Sequence, residues 1–177
     1  MTAASARRII EVVDYNPQWQ QAFNIEQGLL KGVIGNNAIT IEHIGSTAVV
    51  GLAAKPIIDI LIEVSSLELL DRVNESIAEL GYVVKGENGI SGRRYFQKGG
   101  HQRSHHIHAF VADDPHLERH RAFKAYLSHH SAIAQEYSKL KQAAAVVCDN
   151  DMTRYMALKN DFIAHHETLA VQWFRHS

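Results

Sequence analysis

EHIGSTAVVGLAAKPIIDI, from Glu42 to Ile60, leaves one strand, turns at Gly45-Ser46-Thr47, crosses a small-residue loop and enters a second strand. The first strand reads from Ile39 to Ile44, with Ile39, Ile41 and His43 on one face by the period of two. The segment after Gly45 reads as a loop or short helix as far as Pro56. The second strand, Ile57 to Val64, is nearly all apolar, as a central strand covered on both faces should be. Its exception near the start is Asp59. An unpaired charge inside an apolar strand is costly, so a metal, a cation or a structural hydrogen bond must compensate it. The turn before it offers backbone N–H groups and the Ser46 hydroxyl, a set that suits phosphate. The Gly-x-x-x-x-Gly-Lys-Ser/Thr spacing of a Walker loop is absent.

Outward from this stretch the chain divides into a strand-rich first part, about 9–111, and a helical second part, about 115–171. No linker, repeat or low-complexity tract separates them, and 177 residues suit one domain, 1–177. Upstream, Ile9 to Val13 reads as an opening strand. Asn16-Pro17 starts a helix that runs to about Lys31, with Trp19, Phe23 and Leu30 inward. Downstream, Ser65 with Glu68 forms a capping-box pattern. Leu67, Leu70, Val73, Ile77 and Leu80 then give one helix, stopped by Gly81. Strands follow at 82–85, 93–97 and 105–111. Asp114-Pro115 opens the first of three helices, about 115–129, 132–147 and 151–171. Tyr137 with Lys141, and Asp151, Tyr155 and Lys159, each share a helix face at a spacing of four.

Composition narrows the function classes. Lys plus Arg is 18 and Asp plus Glu is 19, a net charge of -1. Such a chain has no general field for nucleic acid or an anionic membrane, so an anionic ligand needs a local cluster. Lys55, Arg94, Arg103, Lys141 and Lys159 are the candidate cations. The single cysteine, Cys148, cannot form an internal disulfide. The first residues carry two arginines but no long apolar core of a secretory signal. No stretch approaches the ~18 apolar residues of a membrane span. The expected location is the cytoplasm.

Strand, Gly-Ser turn, small-residue loop and strand aspartate, in that order, follow the logic of nucleotidyltransferases. There the loop holds a triphosphate and strand carboxylates hold Mg²⁺. The stretch from Glu42 to Ile60 closely resembles the signature of the GrpB-like family, a branch of the nucleotidyltransferase-fold superfamily. Val13, Tyr15, Pro17 and Trp19 resemble the family's opening motif, and Ser104-His105-His106-Ile107-His108 its histidine strand. Phe123, Tyr126 and Leu127, then Tyr137, Leu140 and Lys141, then Asp151, Tyr155, Lys159, Phe162 and Ile163, match its helices in order. The resemblance implies an α/β (α+β) nucleotidyltransferase-like fold: a mixed sheet flanked by helices, with a helical C-terminal part. It also implies Gly45, Ser46, Lys55, Asp59 and His108 as site residues. A related domain occurs behind dephospho-coenzyme A kinases in some bacteria.

Two departures matter: Lys124-Ala125 stands where the family often has Arg-Asp, which weakens any charge pair expected there, and the acidic pattern of the second strand is broken. The superfamily alternates two acids, Asp-x-Asp, and this chain has Leu61 at the second place. Glu63 is the next acid on that face, but its Cα lies roughly 13 Å from that of Asp59 at about 3.3 Å per residue. His106 and His108 share a face of their strand, roughly 7 Å apart, whereas His105 faces the other way. With Asp59 they form a two-His, one-carboxylate set, which suits Mn, Fe or Zn better than Mg.

Three readings follow. The first is a divalent-metal-dependent enzyme, with Mg or Mn, that transfers a nucleoside monophosphate from a nucleoside triphosphate to a small-molecule or protein acceptor. In it Gly45, Ser46, Lys55, Lys141 and Lys159 bind phosphates, Asp59 holds the metal, and Asp59 or His108 takes the acceptor's proton. The second is a nucleotide- or partner-binding module without chemistry, favoured by Leu61. The third is a hydrolase whose metal, Zn or Fe, sits on Asp59, His106 and His108.

Overall fold

The computed structural model describes residues 9–177. Its centre is one mixed five-stranded sheet in the order β1-β2-β5-β4-β3. The strands are β1 (Ala38–Ile44), β2 (Ile58–Val64), β3 (Tyr82–Val84), β4 (Arg94–Lys98) and β5 (His105–Val111). β2 pairs antiparallel with β1 and parallel with β5, while β4 is antiparallel to both β3 and β5. Having neighbours on both edges explains the apolar run of β2, in which Ile60, Leu61 and Ile62 are buried. Each such side chain contributes about 1.5–3 kcal/mol on burial.

Each sheet face has its own cover. Ile58, Ile60, Ile62 and Val64 pack with Ile107 and Ala109 against Trp19, Phe23 and Leu30 of α1 (Gln18–Ile34). The short helices α2 (Leu67–Asp71) and α3 (Asn74–Glu79) join the same cluster through Leu70 and Ile77. The opposite face carries Leu61 and Phe110, which pack with Ile44 and with Leu117 of α4 (Pro115–His129). Beyond lie α5 (Ser131–Val147) and α6 (Met152–Arg175). They pack with α4 around Tyr126, Tyr137 and Ala170, and Val49 and Leu52 of the loop after Gly45 enter that cluster. The loop is thereby clamped between sheet and helices, and the Ala53 N–H donates to Ser138 Oγ at 3.0 Å.

Four local expectations are corrected. Ile9 to Val13 forms no strand beyond a single bridge, Val13 with Ala54. The helix read over 67–80 breaks at Arg72–Val73, although both halves keep their apolar residues on the sheet. Its cap is Ser66, whose side chain accepts from the Leu69 N–H at 3.2 Å, not Ser65. Finally, β1 has an irregular register between Ala38 and Thr40. Ile39 is therefore 50% exposed while Ile41 and His43 point inward. Among the described residues no helix is long and apolar enough to cross a membrane.

Candidate functional site

The parallel register of β2 and β5 sets Asp59 beside His106 and Leu61 beside His108. Residues paired this way share a face, so Asp59, His106 and His108 all leave the sheet toward the helical part. Asp59 Oδ1 lies 3.5 Å from His106 Nδ1 and 3.4 Å from His108 Nε2. Burial alone would push the Asp59 carboxyl up. Hydrogen bonds from His106 and His108 outweigh it and hold the group far below the usual carboxylate range. Among the described residues, no three His, Cys, Asp or Glu side chains are arranged to hold a metal ion between them. The three expected metal ligands thus converge as hydrogen-bonded partners.

The turn before β2 is fitted to this carboxylate. Gly45 has φ 73° and ψ -172°, a combination open essentially to glycine alone. A Cβ there would stand 2.6 Å from Asp59 Oδ2. Gly45→Ala is therefore expected to cost about 1–3 kcal/mol from backbone strain alone, measured by urea unfolding. The next residues form a 3-10 turn, Ser46–Ala48. Thr47 Oγ1 donates to the Ile57 carbonyl at 3.3 Å and so accepts from His43 Nε2 at 2.9 Å. His43 is buried, stacks on Phe23 and is pushed down to about 4, first by burial and then by Lys124. This neutral, buried imidazole ties the turn to the entry of β2.

A cleft of about 460 Å³ opens between this face and the helices. Every site residue expected from the sequence lines it: Gly45, Ser46, Lys55, Asp59, His106, His108, Lys141 and Lys159. Lys141 of α5 and Lys159 of α6 line the helical wall, and Lys55 comes from the loop before β2. Lys141 is 2% exposed. Its Nζ lies 4.3 Å from the centre of the Tyr137 ring and has no hydrogen-bond partner. Burial pushes its ammonium down to about 6, with Lys159 and Lys55 adding repulsion. Lys159 is likewise pushed down to about 8 by burial, then by Lys55. The centre of the Tyr155 ring lies 4.5 Å from Lys159 Nζ and 5.1 Å from Lys55 Nζ, and Lys55 Nζ lies 3.9 Å from Met152 Sδ. The Tyr155 hydroxyl is buried without a partner as well. Of the four such side-chain atoms among the described residues, two, Lys141 Nζ and Tyr155 Oη, belong to residues of this one wall. Buried polar groups are normally paired, so two unpaired donors on residues that line one cleft stand out.

Other candidates sort cleanly. Arg103 lines the cleft, but Arg94 turns away to Asp71 at 2.8 Å. Glu63 is engaged by Arg121, which also binds Glu42, each at 2.8 Å. His105 faces Glu26 across the sheet. Tyr137 stacks on Phe162 at 4.9 Å, and both Tyr137 and Tyr155 are buried, so their rings fill the interior. Two wall residues carry no signal in the sequence. His120 of α4 sits in a charged stretch, yet its ring lies 5.2 Å from that of His108, and burial pushes it down to about 3. Tyr95 of β4 packs against His106 and His108, with the Arg93 guanidinium 4.6 Å above its ring.

Comparison with known proteins places this geometry. The profile of the family described as GrpB protein matches residues 9–168. The UPF0157 protein YqkA of Bacillus subtilis is 44% identical over 94% of this chain and 49% of its own length. The chain thus spans about half of that relative. Glutamate-rich protein GrpB of Alkalihalophilus pseudofirmus is 32% identical over 86% of this chain and 90% of its own. The crystal structure of conserved protein GrpB from Enterococcus faecalis superposes with a TM-score of 0.90 at 39% identity, covering 93% of this chain and 99% of that one. Cid1 in complex with its short product ApU superposes with a TM-score of 0.50 at 13% identity, over 73% of this chain and 42% of that one. At that identity the likeness concerns the fold, which is nucleotidyltransferase-like.

Proposed function

Because this chain belongs to the GrpB family, and its sheet is that of a nucleotidyltransferase-like fold, we propose that the cleft binds a nucleoside triphosphate and transfers its nucleoside monophosphate to an acceptor. The observation that carries this reading is Lys141 Nζ, buried without a partner beside Lys159 and Lys55 in the cleft that Asp59 enters. Three lysine amines whose charged forms repel one another, with Lys141 and Lys159 pushed down by burial and that repulsion, are a poor arrangement in a free protein and a good one around a polyphosphate.

Gly45 and Ser46, at the turn, and Lys55, Lys141 and Lys159 bind the phosphates. Asp59 keeps 29% of its side chain exposed and stays ionised. It fits a Mg²⁺ or Mn²⁺ ion, which takes one or two carboxylates together with substrate phosphates. That ion would supply charge neutralisation on the phosphates. In the transfer the acceptor oxygen bonds to the α-phosphorus and the bond from it to the β-bridging oxygen breaks. Pyrophosphate leaves, and the acceptor's proton passes to Asp59, which His108 holds by a hydrogen bond. The acceptor is a small metabolite or a protein side chain.

Leu61 favours a second reading, a nucleotide-binding module without turnover, because the second carboxylate position is filled by a fully buried apolar side chain. One experiment separates the two. Wild type and Asp59→Asn are titrated calorimetrically with a nucleotide panel in Mg²⁺ and Mn²⁺, and pyrophosphate release is followed on the same samples. The enzyme is expected to release pyrophosphate from at least one triphosphate, with a loss of roughly 10²–10³-fold in Asp59→Asn, the scale of removing one electrostatic stabiliser. Tight binding without release supports the module. If no triphosphate binds, both readings fall.

A further inference from the structure

His106 and His108 each present one nitrogen to Asp59 and the other to an arginine. Arg103 Nη1 lies 3.2 Å from His106 Nε2, and Arg93 Nη1 lies 3.5 Å from His108 Nδ1. A guanidinium has only donors and keeps its charge. The outer nitrogen of each ring must therefore accept, and in a neutral imidazole the proton then sits on the inner nitrogen. His106 carries it on Nδ1 and His108 on Nε2, and both N–H groups point at Asp59 Oδ1.

A histidine that binds a metal needs the reverse arrangement. Its inner nitrogen must offer a lone pair, and its outer N–H is normally donated to a carbonyl or carboxylate. Here the outer partner is a donor, so an imidazole that gave up its inner proton to a metal would set N–H against N–H. Arg93 is not free to yield. It is buried, donates to the Glu87 and Asn88 carbonyls at 3.1 and 2.8 Å, and lies over Tyr95. Arg103 is tied to the Gly100 carbonyl at 3.2 Å.

We propose that Arg93 and Arg103 are positioning residues: they lock His108 and His106 as hydrogen-bond donors to Asp59, so the site rejects a resident transition metal and takes a divalent cation only together with a polyphosphate. The clause about polyphosphate rests on the function proposed above; the locked tautomers do not. The lock also settles the proton. Neither ring nitrogen of His108 has a free lone pair, which leaves the acceptor's proton to Asp59.

Long-range ¹⁵N–¹H histidine spectra of the free protein at neutral pH test the lock directly. His106 is expected to be protonated at Nδ1 and His108 at Nε2, and the opposite tautomer at either ring overturns the proposal. The second arm is a Co²⁺ titration without nucleotide, read by the visible absorption of the ion and by shifts of the His106 and His108 resonances. Wild type is expected to show no site at these rings. Arg103→Met removes the opposing donor at a half-exposed position and is expected to tighten Co²⁺ there roughly 10–100-fold, the scale of an outer partner's effect. Arg103→Lys restores a donor and should return the wild-type response. Equal Co²⁺ affinity at the two rings in wild type and Arg103→Met would refute the positioning role, whether or not a triphosphate ever binds.

Discussion

Replacing Lys141 with methionine is expected to make the free protein more stable and a worse binder of polyphosphate at once. Lys141 is 2% exposed and its buried amine makes no hydrogen bond. Leaving such a group buried and unsatisfied costs about 1–3 kcal/mol. Methionine fills a similar volume without the polar atom, so the melting temperature should rise by roughly 2–12 °C at about 2–4 °C per kcal/mol for a chain of this size. The gain depends on pH. The folded-state pKa of Lys141 is pushed down to about 6 by burial, against about 10.4 in an unfolded chain. Between those values the unfolded state binds the extra proton, so wild-type stability rises with pH. The advantage of methionine is therefore greatest at and below about pH 6 and fades as pH climbs toward the ordinary lysine value.

Binding should move the other way. Phosphate beside Lys141 stabilises the ammonium, so a protein whose lysine is largely neutral at pH 7–8 must take up a proton on binding. Affinity for a triphosphate should fall as pH rises through that range. Calorimetry in buffers of different ionisation heat should show net proton uptake in wild type beyond that in Lys141→Met. Lys159, Lys55, Asp59 and Tyr137 also face this amine, and the difference between the two proteins isolates Lys141 from them. The variant should lose roughly 10–100-fold in affinity, the worth of a charge-assisted hydrogen bond of about 1.5–3 kcal/mol. A variant that binds as tightly as wild type would remove Lys141 from the phosphate site.

Much of this cleft is legible in the sequence. An apolar run such as Ile57 to Val64 has few homes besides a central strand, and an aspartate within it stands out because burial penalises charge. The period of two placed His106 and His108 on one face, and the spacing of four placed Tyr137 with Lys141 and Tyr155 with Lys159. What could not be read was apposition. Nothing local says that β2 pairs with β5 in parallel so that Asp59 meets His106, or that two helices turn their lysines to the same space. His120 and Arg93 were missed for that reason: each lies in a polar stretch, and only packing against His108 makes it part of the cleft. The failures were local and weak in energy. The break at Arg72–Val73 has no Gly or Pro to announce it. The opening segment has strand-forming residues but, apart from the bridge at Val13, no strand to pair with.

Leu61→Asp, which would set an Asp-x-Asp alternation on β2, is expected to damage the protein and not to create a metal site. Leu61 is 0% exposed. It packs with Ile44 of β1, Phe110 of β5 and Leu117 of α4, so its side chain lies under the helix and out of solvent. A carboxylate there has no cation: Arg121, at the far end of the strand, is already committed to Glu42 and Glu63. An uncompensated buried charge costs about 3–5 kcal/mol, which corresponds to a fall of roughly 6–20 °C in melting temperature. Leu61→Met, which conserves volume, should cost less than about 1.5 kcal/mol and controls for packing. If Leu61→Asp instead melted like wild type and bound a triphosphate more tightly in Mg²⁺, the second acid position would still be part of the site. The packing of Leu117 and Phe110 argues that it has become core. The other carboxylate lining the cleft, Glu167, is paired with Arg119 at 3.2 Å, so a cation bound at Asp59 must find the rest of its ligands on phosphate and water.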